Sequence, residues 1–330
     1  MPPARLDVVG IGNAIVDVLS HADEAFLVRH GLEKGAMTLI DGAQADRLYA
    51  QMGSGVEASG GSAANTIAGL ASLGGSAAFI GKVRNDQLGE IFAHDIRTLG
   101  VHFSTPMAED GPPTARCLIL TTPDAQRTMN TYLGACATLG PDDVEEEVVR
   151  QAKVTYLEGY LWDPPAAKEA FRKAMRVAHD AGRKVALTLS DAFCVDRYRE
   201  EFRELVAGEV DLLFANEAEI KSLYEVDVFD EALQRVRALD TVVALTRSEK
   251  GAVVVADDEI HVIDAEPVEH LVDTTGAGDQ FAAGFLFGYT HGRDLRTCAR
   301  LGALAAAEVI SHYGARPELP LASLLAERGL

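Results

Sequence analysis

The sequence predicts an α/β fold, a mostly parallel sheet with helices on both faces, and a small β-sheet lid. Three observations support this. Strand-like and helical segments alternate regularly from Lys153 onward, and such alternation requires right-handed crossovers between parallel strands. Apolar residues make up 48% of the chain and are spread evenly, as a sizeable core demands. Residues 112–133 instead carry two short strand patterns with no helical period between them, a hairpin outside the alternation.

In chain order, Arg5 to Gly12 holds the apolar run Val8-Val9-Gly10-Ile11 of a buried strand, and strand-like pieces follow near Ala14 to Leu19 and Gly35 to Asp41. Gly60-Gly61 opens a helix through Ala63 to Leu73, closed by Gly74-Gly75. Ala115 to Thr121 and Arg127 to Leu133 form the hairpin, turned by Pro123-Asp124. The regular part then runs strand Val154 to Glu158, helix Ala166 to Ala181, strand Lys184 to Leu189, helix Arg197 to Val206 and strand Val210 to Phe214. Strands Val242 to Thr246 and Gly251 to Val255 precede two helices, Gly276 to His291 and Leu295 to Ile310. No internal repeat or Pro-rich linker divides the chain, so residues 1–330 read as one domain, with the lid built from discontinuous segments near 14–41 and 112–133.

The formal charge of -20 repels phosphate backbones and anionic membranes, so neither nucleic acid nor a membrane is an expected partner. An anionic cosubstrate then needs a local positive device, either backbone amides at a helix start or a bound metal. Cys117, Cys136, Cys194 and Cys298 form no CxxC pair and read as core residues in a reducing compartment. With no basic-then-apolar leader from Met1 to Val9 and no long apolar span, the cytoplasm is the expected location.

The strongest local signal is Asp273-Thr274-Thr275-Gly276-Ala277-Gly278-Asp279, running straight into an apolar helix. Glycines there let successive N–H groups of Gly276, Ala277 and Gly278 turn toward one point, where the helix start adds about half a positive charge. That makes an anion hole for a transferring phosphoryl group. Asp279, in the first turn, is placed to take the proton of an attacking hydroxyl. Gly60-Gly61 leaves room for a hydroxyl-rich ligand, with Ser62 and Asn65 offering side-chain hydrogen bonds. Asn13 and Asp17 follow the first strand, where a carboxylate suits vicinal hydroxyls. A nicotinamide fingerprint is excluded because Ile15 takes the third glycine's place after Gly10-Ile11-Gly12, and no P-loop motif occurs.

Asp273 to Asp279 resembles the carboxyl-terminal signature of the ribokinase (PfkB-type) family of small-molecule kinases. Ser59-Gly60-Gly61-Ser62-Ala63-Ala64-Asn65, with Gly69, Leu73, Gly74 and Gly81, resembles that family's second signature. The likeness covers nearly the whole chain and implies a ribokinase-like fold, ATP as cosubstrate and Mg²⁺, with a monovalent cation near Asp273 as a further option. It implies that Gly60 to Asn65 and Asp17 contact the sugar. Asn216-Glu217-Ala218-Glu219 resembles the family's N-x-x-E segment, whose Asn216 and Glu219 would serve Mg²⁺, through water rather than directly. Thr246 to Gly251 is similar to a nucleotide-contacting turn, with Ser248 in place of its first glycine; Thr246, Gly251 and Thr275 join the expected nucleotide contacts.

Within the family, Pro113-Thr114 and Asp124-Ala125-Gln126-Arg127 look similar to the lid of adenosine kinases, and Arg127 would neutralise phosphates on lid closure. Ile15, Leu133 and Tyr160 are expected walls of an apolar slot for a purine. The resulting expectation is transfer of the ATP γ-phosphoryl group to the 5′-hydroxyl of adenosine. The rivals are a fructokinase-type or other sugar kinase and a catalytically silent ligand-binding relative. Both monomer and homodimer fit the family.

Overall fold

The computed structural model describes residues 4–124, 126–257 and 259–329. Its larger sheet has eight strands: β1 (Leu6–Ile11), β5 (Ala77–Ile80), β8 (Ala152–Glu158), β9 (Lys184–Thr188), β10 (Leu212–Asn216), β11 (Val242–Thr246), β12 (Ala252–Ala256) and β13 (Glu259–Ile263). They lie in the order β13-β12-β11-β10-β9-β8-β1-β5. Six are parallel, and β12 and β13 complete one edge as antiparallel strands.

The strands are apolar on both faces because helices cover both. On one face Val9, Leu157, Leu187, Leu213 and Leu245 pack with Phe171 and Phe202 of helices Pro165–Asp180 and Ala192–Gly208. On the other, Val8, Tyr156, Ala186 and Phe214 pack with Ile67 of helix Ser62–Ser72 and with Phe281 and Phe285 of helix Ala277–Thr290. All four cysteines are buried and free. No helix among the described residues is long and apolar enough to cross a membrane.

The smaller sheet contains β2 (Ile15–His21), β3 (Met37–Leu39), β4 (Gly55–Gly60), β6 (Ala115–Thr121) and β7 (Arg127–Tyr132), in the order β3-β7-β6-β2-β4. It draws on one segment more than expected: residues 55–60, assigned no strand from the sequence, form β4, which ends at Gly60 and pairs antiparallel with β2. Gly61 follows at φ 96°, where a Cβ would lie 2.2 Å from the Asn13 carbonyl oxygen. Ala125, in the hairpin turn, lies outside the described residues. Val18, Leu118 and Leu120 on one face of this sheet pack with Leu27 and Leu48 from helices Glu24–His30 and Gly42–Tyr49. The other face carries Ile15, Asp17 and Leu19 of β2, aligned with Ala115, Cys117 and Ile119 of β6. Met129 and Thr131 of β7 continue that face to Met37 and Leu39 of β3.

Candidate active site

Because β1, β8, β9, β10 and β11 are parallel, their carboxyl ends gather at one edge, the place where such folds take ligands. There the starts of helices Ser62–Ser72 and Ala277–Thr290 meet. Ser62 Oγ donates to Asp279 Oδ1 at 2.7 Å, and Asn65 Nδ2 donates to Asp279 Oδ2 at 3.2 Å. Burial pushes the Asp279 carboxyl up to about 7, against the two hydrogen bonds, with Glu158 and Asp17 adding to the rise. Gly276 caps the helix at φ 79°, and a Cβ there would lie 2.7 Å from Ala315 Cα. Gly278 differs: it is exposed, and a Cβ would meet nothing. The helix start is therefore open to an anion, with Ala277 its first residue.

Arg127 of β7 reaches across to this loop. It forms an ion pair with Asp273, and Nη1 donates to Thr275 Oγ1 at 3.1 Å. Asp273 also accepts from Thr275 Oγ1 at 2.7 Å and from Gly314 N at 3.0 Å. The cation beside Asp273 in this conformation is thus the Arg127 guanidinium, which ties the smaller sheet to this loop.

Asp17 lies on the same face of the smaller sheet, directly under Gly60, where a Cβ would sit 2.3 Å from Asp17 Oδ2. Burial raises its carboxyl to about 6 while Arg316 and Arg127 pull it down. Gly60 and Gly61 also have a packing reason to lack a side chain. Added Cβ atoms would collide with Asp17 Oδ2 and the Asn13 carbonyl oxygen of the chain itself.

Asn13 is also turned inward: Nδ2 donates to Glu158 Oε1 at 2.6 Å. Glu158, at the end of β8, accepts from Ala63 N at 2.8 Å as well, and burial pushes it up to about 7. Ile15, Leu133 and Tyr160 are all half-buried. Ile15 packs on the core beneath helix Ser62–Ser72, and Leu133 precedes the short turn Gly134–Thr138. Tyr160 N donates to Ser190 Oγ at 3.2 Å, and its phenol lies within electrostatic reach of Glu158, Glu219 and Asp279.

Asn216 and Glu219 close a reciprocal capping box. Asn216 Nδ2 donates to Glu219 Oε1 at 2.6 Å, Asn216 N donates to Glu219 Oε2 at 2.9 Å, and Glu219 N donates to Asn216 Oδ1 at 2.9 Å. Burial lifts Glu219 to about 7. Among the described residues no group of three or more His, Cys, Asp or Glu side chains is arranged to hold a metal ion. Both Glu219 oxygens and Asn216 Oδ1 already accept hydrogen bonds in this cap, so a Mg²⁺ carried by nucleotide phosphates would meet them only through its waters. Thr246 ends β11 beside Asn216. Ser248 adopts φ 52°, the left-handed conformation a glycine would supply, so the turn is compatible with the substitution. Gly251, at φ 78°, packs 2.0 Å from the Ile263 carbonyl oxygen when given a Cβ.

Two participants were not read from the sequence. Glu158 ends a buried strand, a position that a carboxylate takes only with donors to meet it. Arg316 lies outside both motifs, and nothing in its local sequence points to the site.

Residues 36–322 match the model of the pfkB family carbohydrate kinases, and the chain belongs to this family. The structure of adenosine kinase from Sinorhizobium meliloti is similar at 56% identity and TM-score 0.92, covering 99% of this chain and 100% of that one. A probable sugar kinase from Rhizobium etli CFN 42 is 53% identical at TM-score 0.93, with 99% of each chain covered. Adenosine kinase from Saccharomyces cerevisiae is 25% identical over 328 residues, 93% of this chain and 95% of that protein. The chain is a phosphotransferase with an alcohol group as acceptor, and the family implies ATP as its cosubstrate.

Proposed function

We propose that the protein is an adenosine kinase, transferring the γ-phosphoryl group of ATP to the 5′-hydroxyl of adenosine to give AMP. The observation that carries the choice of acceptor is the face of the smaller sheet that bears Asp17. Beside that one carboxylate it carries the half-buried Ile15, Leu19 and Met129 over the buried Ile119, with Thr131 and Arg127 of β7 on the same side. A free sugar has hydroxyls all round and gains little from such a surface. A nucleoside has a polar ribose for Asp17 and a flat base for the apolar strip.

In this reading Asp279 accepts the proton of the 5′-hydroxyl as its oxygen attacks phosphorus. A carboxyl near 7 is matched to that task at neutral pH. Ser62 and Asn65 aim the carboxylate, and the amides of Gly276 to Asp279 stabilise charge on the transferring group. Mg²⁺ supplies neutralisation of the nucleotide phosphates. Asn216 and Glu219 support it through water, Thr246, Gly251 and Thr275 line the nucleotide side, and Arg127 adds positive charge from the lid. Gly60, Gly61, Asn13, Leu133 and Tyr160 shape the acceptor pocket around Asp17.

The test is a phosphate-acceptor screen with ATP and Mg²⁺. Adenosine should give the highest kcat/KM. Preference for fructose or ribose would make the protein a sugar kinase, the reading favoured by the likeness to the Rhizobium etli protein. No turnover with any acceptor would make it a ligand-binding relative.

A further inference from the structure

Arg316 follows helix Leu295–Val309 in a loop outside both family motifs. Its Nε donates to Asn65 Oδ1 at 3.2 Å, and its Nη1 donates to Ser59 Oγ. Nη2 is buried without a hydrogen-bond partner. Both partners are neutral, and the guanidinium makes no contact ion pair among the described residues. A buried cation that served packing alone would be matched by a touching carboxylate, because leaving it unmatched is costly. The charge here acts through space instead. Burial lowers Arg316 to about 10, against Asp17 on β2, Asp95 on helix Gln87–Thr98 and Asp279 on helix Ala277–Thr290. Asp95 is already engaged by Ser59 N at 3.1 Å.

A second observation concerns the Asn65 amide. Its Nδ2 faces Asp279 Oδ2 only while its Oδ1 faces the other way, and Arg316 is what Oδ1 meets. A guanidinium has donors and no acceptor, so the flipped amide would set NH₂ against N–H on one side and oxygen against carboxylate on the other. The loop that carries Arg316 is itself tied down. Gln280 Nε2 donates to Asn65 O at 3.0 Å and to Ala315 O at 2.9 Å, and Gly314 N donates to Asp273 Oδ2 at 3.0 Å.

We propose that Arg316 is a positioning residue for the base, fixing the Asn65 amide toward Asp279 and keeping a positive charge beside the Asp17–Asp279 pair. The inference rests on the proposed role of Asp279. Groups facing Asp279 are Ser62 and Asn65 from one helix, Glu158 and Tyr156 from β8, Tyr160 just beyond it, Asp17 from β2 and the Arg316 guanidinium. With the cation removed, three mutually repelling carboxylates remain, and the Asp279 carboxyl rises.

The experiment is the pH dependence of acceptor kcat/KM for the wild type, Arg316→Met and Arg316→Lys. In Arg316→Met the acidic limb should move up by about one pH unit and kcat should fall by about tenfold, with the KM for ATP changed less than about twofold. Arg316→Lys keeps the charge and should return the limb close to its wild-type position, with kcat only partly restored for want of the planar fork. A limb unmoved in Arg316→Met overturns the proposal however far kcat falls. Circular dichroism reports folding, and Arg316→Gln replaces the Met variant if that one is unfolded, with the same reading. Asp279→Asn is measured alongside. If it retains turnover, the assignment of the base fails. If it is inactive while the limb stays in place without Arg316, only the role of Arg316 fails.

Discussion

The Ser62 hydroxyl donates to Asp279 Oδ1 at 2.7 Å, joining residues 217 positions apart in the chain. One belongs to the Gly-Gly helix start and the other to the second glycine-rich start. Each motif therefore completes the other: the Gly-Gly helix start supplies the donors that aim the Asp279 carboxylate of the second.

Asp279→Asn keeps the size of the side chain and removes its ability to take a proton. Turnover should fall by about 10²–10⁴ with nucleotide binding retained. Steady-state ADP release and calorimetric ATP binding separate the two, and near wild-type turnover at saturating substrate would remove Asp279 from the role of base.

The pH profile gives an independent check. The carboxyl must be ionised to accept a proton, and in the free protein it stands near 7, so kcat/KM should decline as pH falls through about 7. Ser62→Ala deletes a donor that favours the charged form, so its limb should move to higher pH. The variant should lose more activity at pH 6 than at pH 8.5; equal losses would mean the hydroxyl does not tune the base. Linkage has the same origin. A carboxyl raised from 3.8 to about 7 contributes stability below the unfolded value that is lost as pH rises through the folded one.

Glu219→Gln separates capping from metal chemistry. Gln keeps one acceptor at the third helical position of the capping box but sets an NH₂ against the second Asn216 donor, so the helix start should hold by one bond fewer and the melting temperature should fall modestly. Removal of the charge should raise the Mg²⁺ concentration giving half-maximal activity. An unchanged Mg²⁺ titration would leave Glu219 as a cap alone.

What was legible in the sequence was what repeats locally. The alternation of apolar strands and helices after Lys153 specified the parallel sheet, and the helix starts at Gly61 and Gly276 were visible as glycine motifs. The strand Gly55–Gly60 was missed because Gly55, Ser59 and Gly60 lack β-branched or aromatic character, and its pairing with β2 is a long-range fact. The inward turn of Asn13 was hidden for a similar reason, since its partner Glu158 lies 145 residues away. Ser248 stands where the similar turn has its first glycine, and its backbone takes φ 52°, the left-handed conformation a glycine would supply, which the residue type alone does not announce.

Asp17 tests the acceptor itself. Its carboxylate is pinned beneath Gly60, on a face it shares with Arg127 and Thr131 as well as with apolar residues, and it is pushed up to about 6 by burial against the pull of Arg316 and Arg127. Ribose hydroxyls would give this carboxylate the hydrogen-bond donors it does not find among the described residues; an acceptor without them leaves it unpaired, and sites built in this way reject such analogues by up to about 10⁴. Adenosine should therefore be a good acceptor and 2′,3′-dideoxyadenosine a very poor one, although both carry the 5′-hydroxyl. In Asp17→Ala the gap should narrow, mainly because adenosine becomes worse while the analogue no longer faces an unpaired charge. The measurement is kcat/KM for both nucleosides in both proteins, at a pH above 7 where the wild-type carboxyl is ionised. Equal rates with the two nucleosides in the wild type would show that Asp17 is not a ribose ligand. A gap that persists in Asp17→Ala would assign the discrimination to another group, with Asn65 the next to test.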